Sequence, residues 1–126
     1  MFGAAVVIAA LAVVAAVLPM VASSASGDVR DIDVVVREMA FYVDNGADPN
    51  PVITLQAGQR VRLHVRNEDA GMRHDFTIKA WTVSTKMLEE RGQQDTIEFV
   101  VPDERGTQTY QCTPHAKMMT GAVRVE

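Results

Sequence analysis

Cys112 is the only cysteine in the chain, and His115 follows it by three positions. Two thioethers come close behind, in the run Cys112-Thr113-Pro114-His115-Ala116-Lys117-Met118-Met119-Thr120-Gly121. A thiolate, an imidazole and a thioether on one short stretch form a soft donor set. Such a set suits copper, whereas magnesium and calcium want oxygen. One more imidazole would complete a His₂Cys site with a weak axial Met. His74 offers it, in the run Asn67-Glu68-Asp69-Ala70-Gly71-Met72-Arg73-His74-Asp75-Phe76.

Donors so far apart in the chain need a rigid scaffold. The apolar pattern supplies one. Ile32, Val34 and Val36 alternate with Asp33, Val35 and Arg37, and Val61, Leu63 and Val65 alternate with Arg62, His64 and Arg66. Period two with one polar side is the signature of a half-buried strand. Phe76 and Ile78 continue it beyond His74. Val52 to Leu55 and Thr96 to Val101 read as further strands, the second stopped by Pro102. Thr109 to Cys112 and Ala122 to Glu126 bracket the candidate ligand loop. Asp44 to Pro51 is rich in turn formers and reads as a surface loop. Trp81 to Arg91 fits either a helical turn or a loop over one end. Short strands with regular turn signals argue an all-β sandwich or barrel.

The first 22 residues carry no charged side chain, and every charge lies from Asp28 onward. Residues 1–26 therefore read as a targeting or anchoring segment, apart from the fold. Small residues from Ala22 to Ser26 favour a cleaved signal peptide. The length favours an uncleaved membrane anchor, since a spanning helix needs about 20 apolar residues. Either way the remainder is expected in the periplasm or otherwise outside the cytoplasm, secreted or tethered through residues 1–22. An unpaired cysteine in an exported protein calls for an explanation. Metal ligation supplies one; a reactive thiol nucleophile or a buried core residue would be the others. The balance of 12 Lys+Arg against 16 Asp+Glu, net charge -4, gives no basic footprint for nucleic acid.

From about Asp31 to Glu126 these features, in order, resemble the cupredoxin family, the small type 1 blue-copper proteins such as plastocyanin, amicyanin and pseudoazurin. Val52 to Val61 looks like the family's early strand-turn-strand, and Asn67-Glu68-Asp69 followed by His74 like the lead to its first copper histidine. Phe99-Val100-Val101-Pro102, Gly106-x-x-x-Tyr110-x-Cys112 and Cys-Thr-Pro-His complete the set. The resemblance implies a Greek-key β-sandwich or barrel over residues 30–126; the apolar segment ahead of it reads separately as an N-terminal hydrophobic helix. It implies one copper ion, Cu(II)/Cu(I), held by His74, Cys112 and His115 with an axial Met. Met119 is preferred for that position because it keeps the Met-x-Gly step into the last strand; Met118 is the alternative. The implied function is a monomeric one-electron carrier and not an enzyme. Redox partners would dock near His115, on a patch of Pro114, Ala116, Met118 and Met72 flanked by Lys117 and Arg73.

The chain departs from the family pattern in places. Asp75 follows His74 where many members have Asn; it can accept a bond from Thr113, and its charge should lower the reduction potential. Gln108 replaces a frequent Tyr, and the 42–50 loop is long. His64 reads as a solvated strand residue, and Met39, Met72 and Met87 as packing or surface residues. Tyr110 shares a strand face with Cys112 and should pack beneath the site. A copper-ion carrier, chaperone or storage protein with the same ligands is the competing function.

Overall fold

Alternating side chains at the start of the domain bury one face of two long strands. A computed structural model describes residues 27–126. The N-terminal helix and the signal or anchor reading of residues 1–26 lie outside the described residues. Strand β1 (Arg30–Arg37) buries Ile32, Val34 and Val36, and β4 (Arg60–Asn67) buries Val61, Leu63, Val65 and Asn67. The two run parallel, with Ile32 opposite Leu63. Strand β2 (Ala40–Val43) folds back on β1, and β7 (Gln94–Val100) pairs antiparallel with β4, giving the order β2-β1-β4-β7.

The second sheet has the order β3-β9-β8-β5-β6. It comprises β3 (Ile53–Leu55), β5 (Thr77–Ile78), β6 (Val83–Ser84), β8 (Gly106–Gln111) and β9 (Thr120–Val125). The chain crosses between sheets several times, since β3 leaves the first sheet before β4 returns to it. One hydrophobic core lies between the sheets and draws on both. An all-β two-sheet sandwich is therefore what the periodicity expects.

Two segments differ from the sequence expectation. Ala40–Val43 is a strand, so the long loop begins at Asp44. The β1–β2 turn places Glu38 and Met39 at φ 49° and 61°. That is the backbone of a two-residue hairpin turn, which ordinarily selects Asn-Gly, so residue type alone gave no hint of it. Trp81 to Arg91 is neither one helix nor a plain loop. A 3₁₀ turn (Lys79–Trp81) leads into β6, and Leu88 then forms an isolated bridge to His74. Elsewhere β7 starts at Gln94, and Ile97 and Phe99 on its inner side are only partly buried because β7 is an edge strand. Among the described residues no helix is long and apolar enough to cross a membrane.

The strand directions sort the molecule into two poles. Arg30, Arg60 and Val100 cluster at one end, as their pairings require. Asn67, Gln111 and Thr120 lie at the other, where the ligand loop joins β8 to β9.

Candidate metal centre

The loop from Cys112 to Met119 is closed by its own backbone. Gln111 pairs with Thr120, and the Cys112 N–H donates to the Met119 carbonyl at 3.0 Å. Inside it, the N–H groups of Met118 and Met119 both donate to the His115 carbonyl. The chain therefore makes one compact turn that places successive methionines on opposite sides. Met119 is wholly buried beside Cys112 in the core, while Met118 is 63% exposed. Of the two thioethers, Met119 is the one turned inward.

His74 arrives from the end of β4. Asn67 organises the connection: its amide donates to the Met72 carbonyl at 2.9 Å and its Oδ1 accepts the Asp69 N–H at 2.9 Å. Leu88 clamps the histidine's backbone on both sides, N–H to carbonyl at 3.0 Å and 2.7 Å. The result is a fully buried imidazole whose Nδ1 is 3.6 Å from Cys112 Sγ. The His115 Nδ1 is 3.5 Å from the same sulfur. One donor atom from each of the three side chains falls within 4.8 Å of the others.

These separations test the fit of a metal. A first-row ion holds nitrogen at about 2.0 Å and thiolate sulfur at about 2.3 Å. Angles between tetrahedral and trigonal then separate S from N by roughly 3.5–3.7 Å. The observed 3.6 and 3.5 Å match. Two imidazoles and a thiolate, with a thioether beside them, are the donors that select copper.

The surroundings tune each donor. Burial pushes the His74 imidazole below its ordinary value, against the pull of Asp69, and so favours the neutral ligand form. Burial also pushes the Cys112 thiol up, while the backbone N–H groups of Asp75 and His115 act the other way. A bound cation would reverse that balance, since a coordinating thiol is deprotonated outright. Asp75, nearly buried, accepts the Thr113 N–H at 2.6 Å and ties the His74 segment to the ligand loop. Tyr110 lies beneath, wholly buried, stacked on Phe76 with centroids 5.0 Å apart.

The residues expected to stay away from the site do so. His64 is part-exposed on β4, bonded to Asp31 and Thr96. Met39 and Met87 are partly buried, and Met72 lies at the surface. Three contributors escaped sequence reasoning. Asp69 lies with Oδ2 3.0 Å from His74 Nε2. Leu88 supplies the backbone clamp. Asn50, at the end of the long loop, donates to the Met118 carbonyl at 3.3 Å and accepts the Phe41 N–H. The one available signal was an acidic residue five positions before the histidine.

Burial by itself would raise the Asp69 carboxyl. The N–H groups of Met39 and Glu38 and the His74 ring together hold it below its ordinary value instead.

Comparison with known proteins agrees with this geometry. Rusticyanin from Thiobacillus ferrooxidans superposes with a TM-score of 0.64 at 18% identity, covering 80% of this chain and 79% of that one. Auracyanin A from Chloroflexus aurantiacus gives 0.60 at 18%, covering 79% and 100%. The periplasmic domain of cytochrome oxidase subunit II from Bradyrhizobium japonicum gives 0.60 at 18%, covering 77% and 83%. At such identities the likeness speaks for the fold. No curated protein matched the sequence at a significant level. A family model, that of the copper binding proteins of the plastocyanin/azurin family, matches residues 29–126. With that match, and with a donor cluster of the right chemistry and spacing, the chain belongs to the plastocyanin/azurin family of copper-binding proteins and takes a single copper ion.

Proposed function

We propose that this protein is a one-electron carrier working outside the cytoplasm, with copper held by His74, Cys112 and His115 and, axially, by Met119. The observation that carries the reading is the convergence of two imidazoles and the only thiol within 4.8 Å, next to a buried Met119. Bound there, copper would supply a Cu(II)/Cu(I) couple in a geometry between the preferences of the two states. The chain's part is to hold the donors still. His74 is fixed through its backbone by Leu88, Cys112 by Met119, and Pro114 stiffens the loop by fixing its own φ. Catalytic metal sites keep a coordination position open. On this reading Met119 would take that position, so we read the domain, residues 30–126, as a carrier and not an enzyme.

His115 is the proposed entry for the electron. The residue is only partly buried, and it lines a hollow with Thr113, Pro114, Ala116, Lys117 and Met118. Met118 extends the apolar surface beside the exposed Lys117, and we read Met72 and Arg73, both exposed, as the rest of the docking patch. A redox protein with an acidic rim fits this end, the domain acting as a monomer. The uncharged segment 1–22 supports export, whether cleaved or kept as a tether, and one structural neighbour is itself a periplasmic domain. Gly27 and Asp28 sit beside Gln59, Arg60 and Val100, at the pole opposite the ligand loop. A tether leaving from there would keep His115 free to meet a partner.

The test is copper titration of the purified protein. Cu(II) should give an intense visible absorption that bleaches on reduction and returns on oxidation. Met119→Gln should move the spectrum and the potential, whereas Met118→Gln should leave both. A pale product, or an unchanged Met119→Gln, overturns the assignment. Met118→Glu should slow electron exchange without bleaching the copper; an unchanged rate removes the docking surface. Easy transfer of copper to an apo acceptor would favour the copper-ion carrier instead.

A further inference from the structure

His74 is gripped at both ring nitrogens, and only one of the two grips faces Cys112. Its Nε2 is 3.0 Å from Asp69 Oδ2. Asp69, just past the end of β4, is in turn held by the neighbouring β1–β2 hairpin of the same sheet: Oδ1 accepts the Glu38 N–H at 2.7 Å and Oδ2 the Met39 N–H at 3.1 Å. Both donors belong to the β1–β2 turn, where two residues other than glycine sit at positive φ. That conformation aims two successive N–H groups at one carboxylate. An ionised carboxylate only accepts hydrogen bonds. Nε2 must therefore carry the proton, and Nδ1 is left with a free lone pair directed at the cluster.

We propose that Asp69 is a positioning residue of the copper site, holding His74 in the tautomer and ring orientation that present Nδ1 to the metal. The inference rests on the reading of His74 as a ligand. A carboxylate behind a ligating histidine fixes its tautomer and raises its basicity, and loss of such a partner typically costs about 10–100-fold in metal affinity. The β1–β2 turn thus reaches the metal through one side chain. Nothing in the turn's own sequence favours its backbone, which ordinarily calls for Asn-Gly; Asp69 supplies what the residue types do not.

Two measurements on the full-length protein test it. In the metal-free protein, long-range proton–nitrogen NMR should find His74 in the single Nε2–H tautomer, with that proton shifted downfield and protected from exchange. Absence of that protected proton in the wild-type protein overturns the proposal, whatever any variant does. Second, Cu(II) and Zn(II) affinities are measured by chelator competition. Asp69→Asn should weaken both by about 10–100-fold. Because Asp69 also braces the turn, the same variant is made with Glu38→Asn and Met39→Gly, which give the turn its preferred residues. Folding stability should return in that protein and metal affinity should not. Recovery of affinity along with stability would make Asp69 a brace only, and wild-type affinity in Asp69→Asn would equally reject the proposal. Failure of the wild-type protein to bind copper would instead reject His74 as a ligand, a separate result.

Discussion

Gly121 is where the ligand loop enters β9, and it has no room for a side chain. It pairs with Tyr110 across the β8–β9 ladder. A β-carbon there would fall on the phenol end of the Tyr110 ring. The backbone of Gly121 is ordinary, so the requirement is space and not conformation. Tyr110 has nowhere to retreat. Its ring is stacked on Phe76 and meets Phe41 edge-on at 5.5 Å, and its hydroxyl donates to the Pro51 carbonyl at 2.6 Å. Admitting one methyl in Gly121→Ala means overpacking, at about 1–3 kcal/mol. The displaced hydroxyl gives up a hydrogen bond of about 0.5–1.5 kcal/mol. Disturbed ring pairing adds about 0.5–1.5 kcal/mol.

The sum is about 2–6 kcal/mol. A domain of this kind has about 5–15 kcal/mol in total. Urea unfolding of the metal-free protein, followed by circular dichroism, should show a lower midpoint with an unchanged slope. In a thermal scan the midpoint should drop by about 8 °C or more. A loss under about 1 kcal/mol would refute the argument, given the overpacking figure it starts from. A double-mutant cycle separates the cause. In a Tyr110→Leu background the cost of Gly121→Ala should largely vanish, because the atoms it meets are gone. Equal cost in both backgrounds would mean that something other than the ring opposes the methyl.

Three further outcomes follow from particular contacts. Asp75→Asn keeps a carbonyl to accept the Thr113 N–H but removes a negative charge beside the donors, so the reduction potential measured by voltammetry should rise; an unchanged potential would count against any electrostatic effect of this side chain on the donors. Asn50→Ala frees the Met118 carbonyl and should speed copper loss to a chelator in stopped-flow measurements, a wild-type rate counting against any part for the long loop in holding the site. Asp31 has its carboxyl lowered from the ordinary 3.8, first by the hydrogen bond to His64 and then, against some desolvation, by Arg62. With the folded value below the unfolded one, its contribution is present above about pH 4 and is lost as pH falls through the folded value. Asp31→Asn should therefore lower stability slightly above about pH 4, where the contribution is present, and flatten the acid limb below it, the two proteins converging at low pH, as urea midpoints from pH 7 down to 2 would check. An unchanged acid limb would mean the pair is screened away.

What could be read from the sequence follows a physical divide. Ile32, Val34 and Val36, and Val61, Leu63 and Val65, are all buried as their alternation requires, because burial of one sheet face is a local pattern. Cys112 and His115 were legible because rare donor types lie within one loop, and Met119 lies buried beside Cys112 in that same loop. β2 was not, since Ala40-Phe41-Tyr42-Val43 has no alternation and the Glu38-Met39 turn has no glycine or asparagine. Leu88 and Asn50 were missed for a different reason. Each acts through a partner far away in the chain, His74 for one and Met118 for the other. Asp69 stands inside the Asn67-Glu68-Asp69 run, yet its role depends on two N–H groups contributed from residues 38 and 39.

These non-local contacts divide the centre into two unequal halves. His74 is fixed at four points: its backbone N–H and carbonyl by Leu88, its Nε2 by Asp69, and its Nδ1 beside Cys112. His115 has a backbone N–H held only within its own turn and is itself only partly buried, lining a surface hollow. A site that must keep its shape as its charge changes needs most donors immobile, and burial in a close-packed core provides that. A site that must also pass an electron to a partner needs one donor at the boundary. On the proposed reading both demands are met: one histidine comes from the buried connection between β4 and β5, bridged to Leu88, and the other from the partly exposed turn of the ligand loop. Rigidity is thus concentrated at His74 and Cys112. On that reading, motion linked to docking falls to the turn from Pro114 to Met118, which is tied to its surroundings by the Asn50 amide on the Met118 carbonyl and the Thr120 hydroxyl on the Ala116 carbonyl, with the Asp75 carboxylate holding Thr113 just before it.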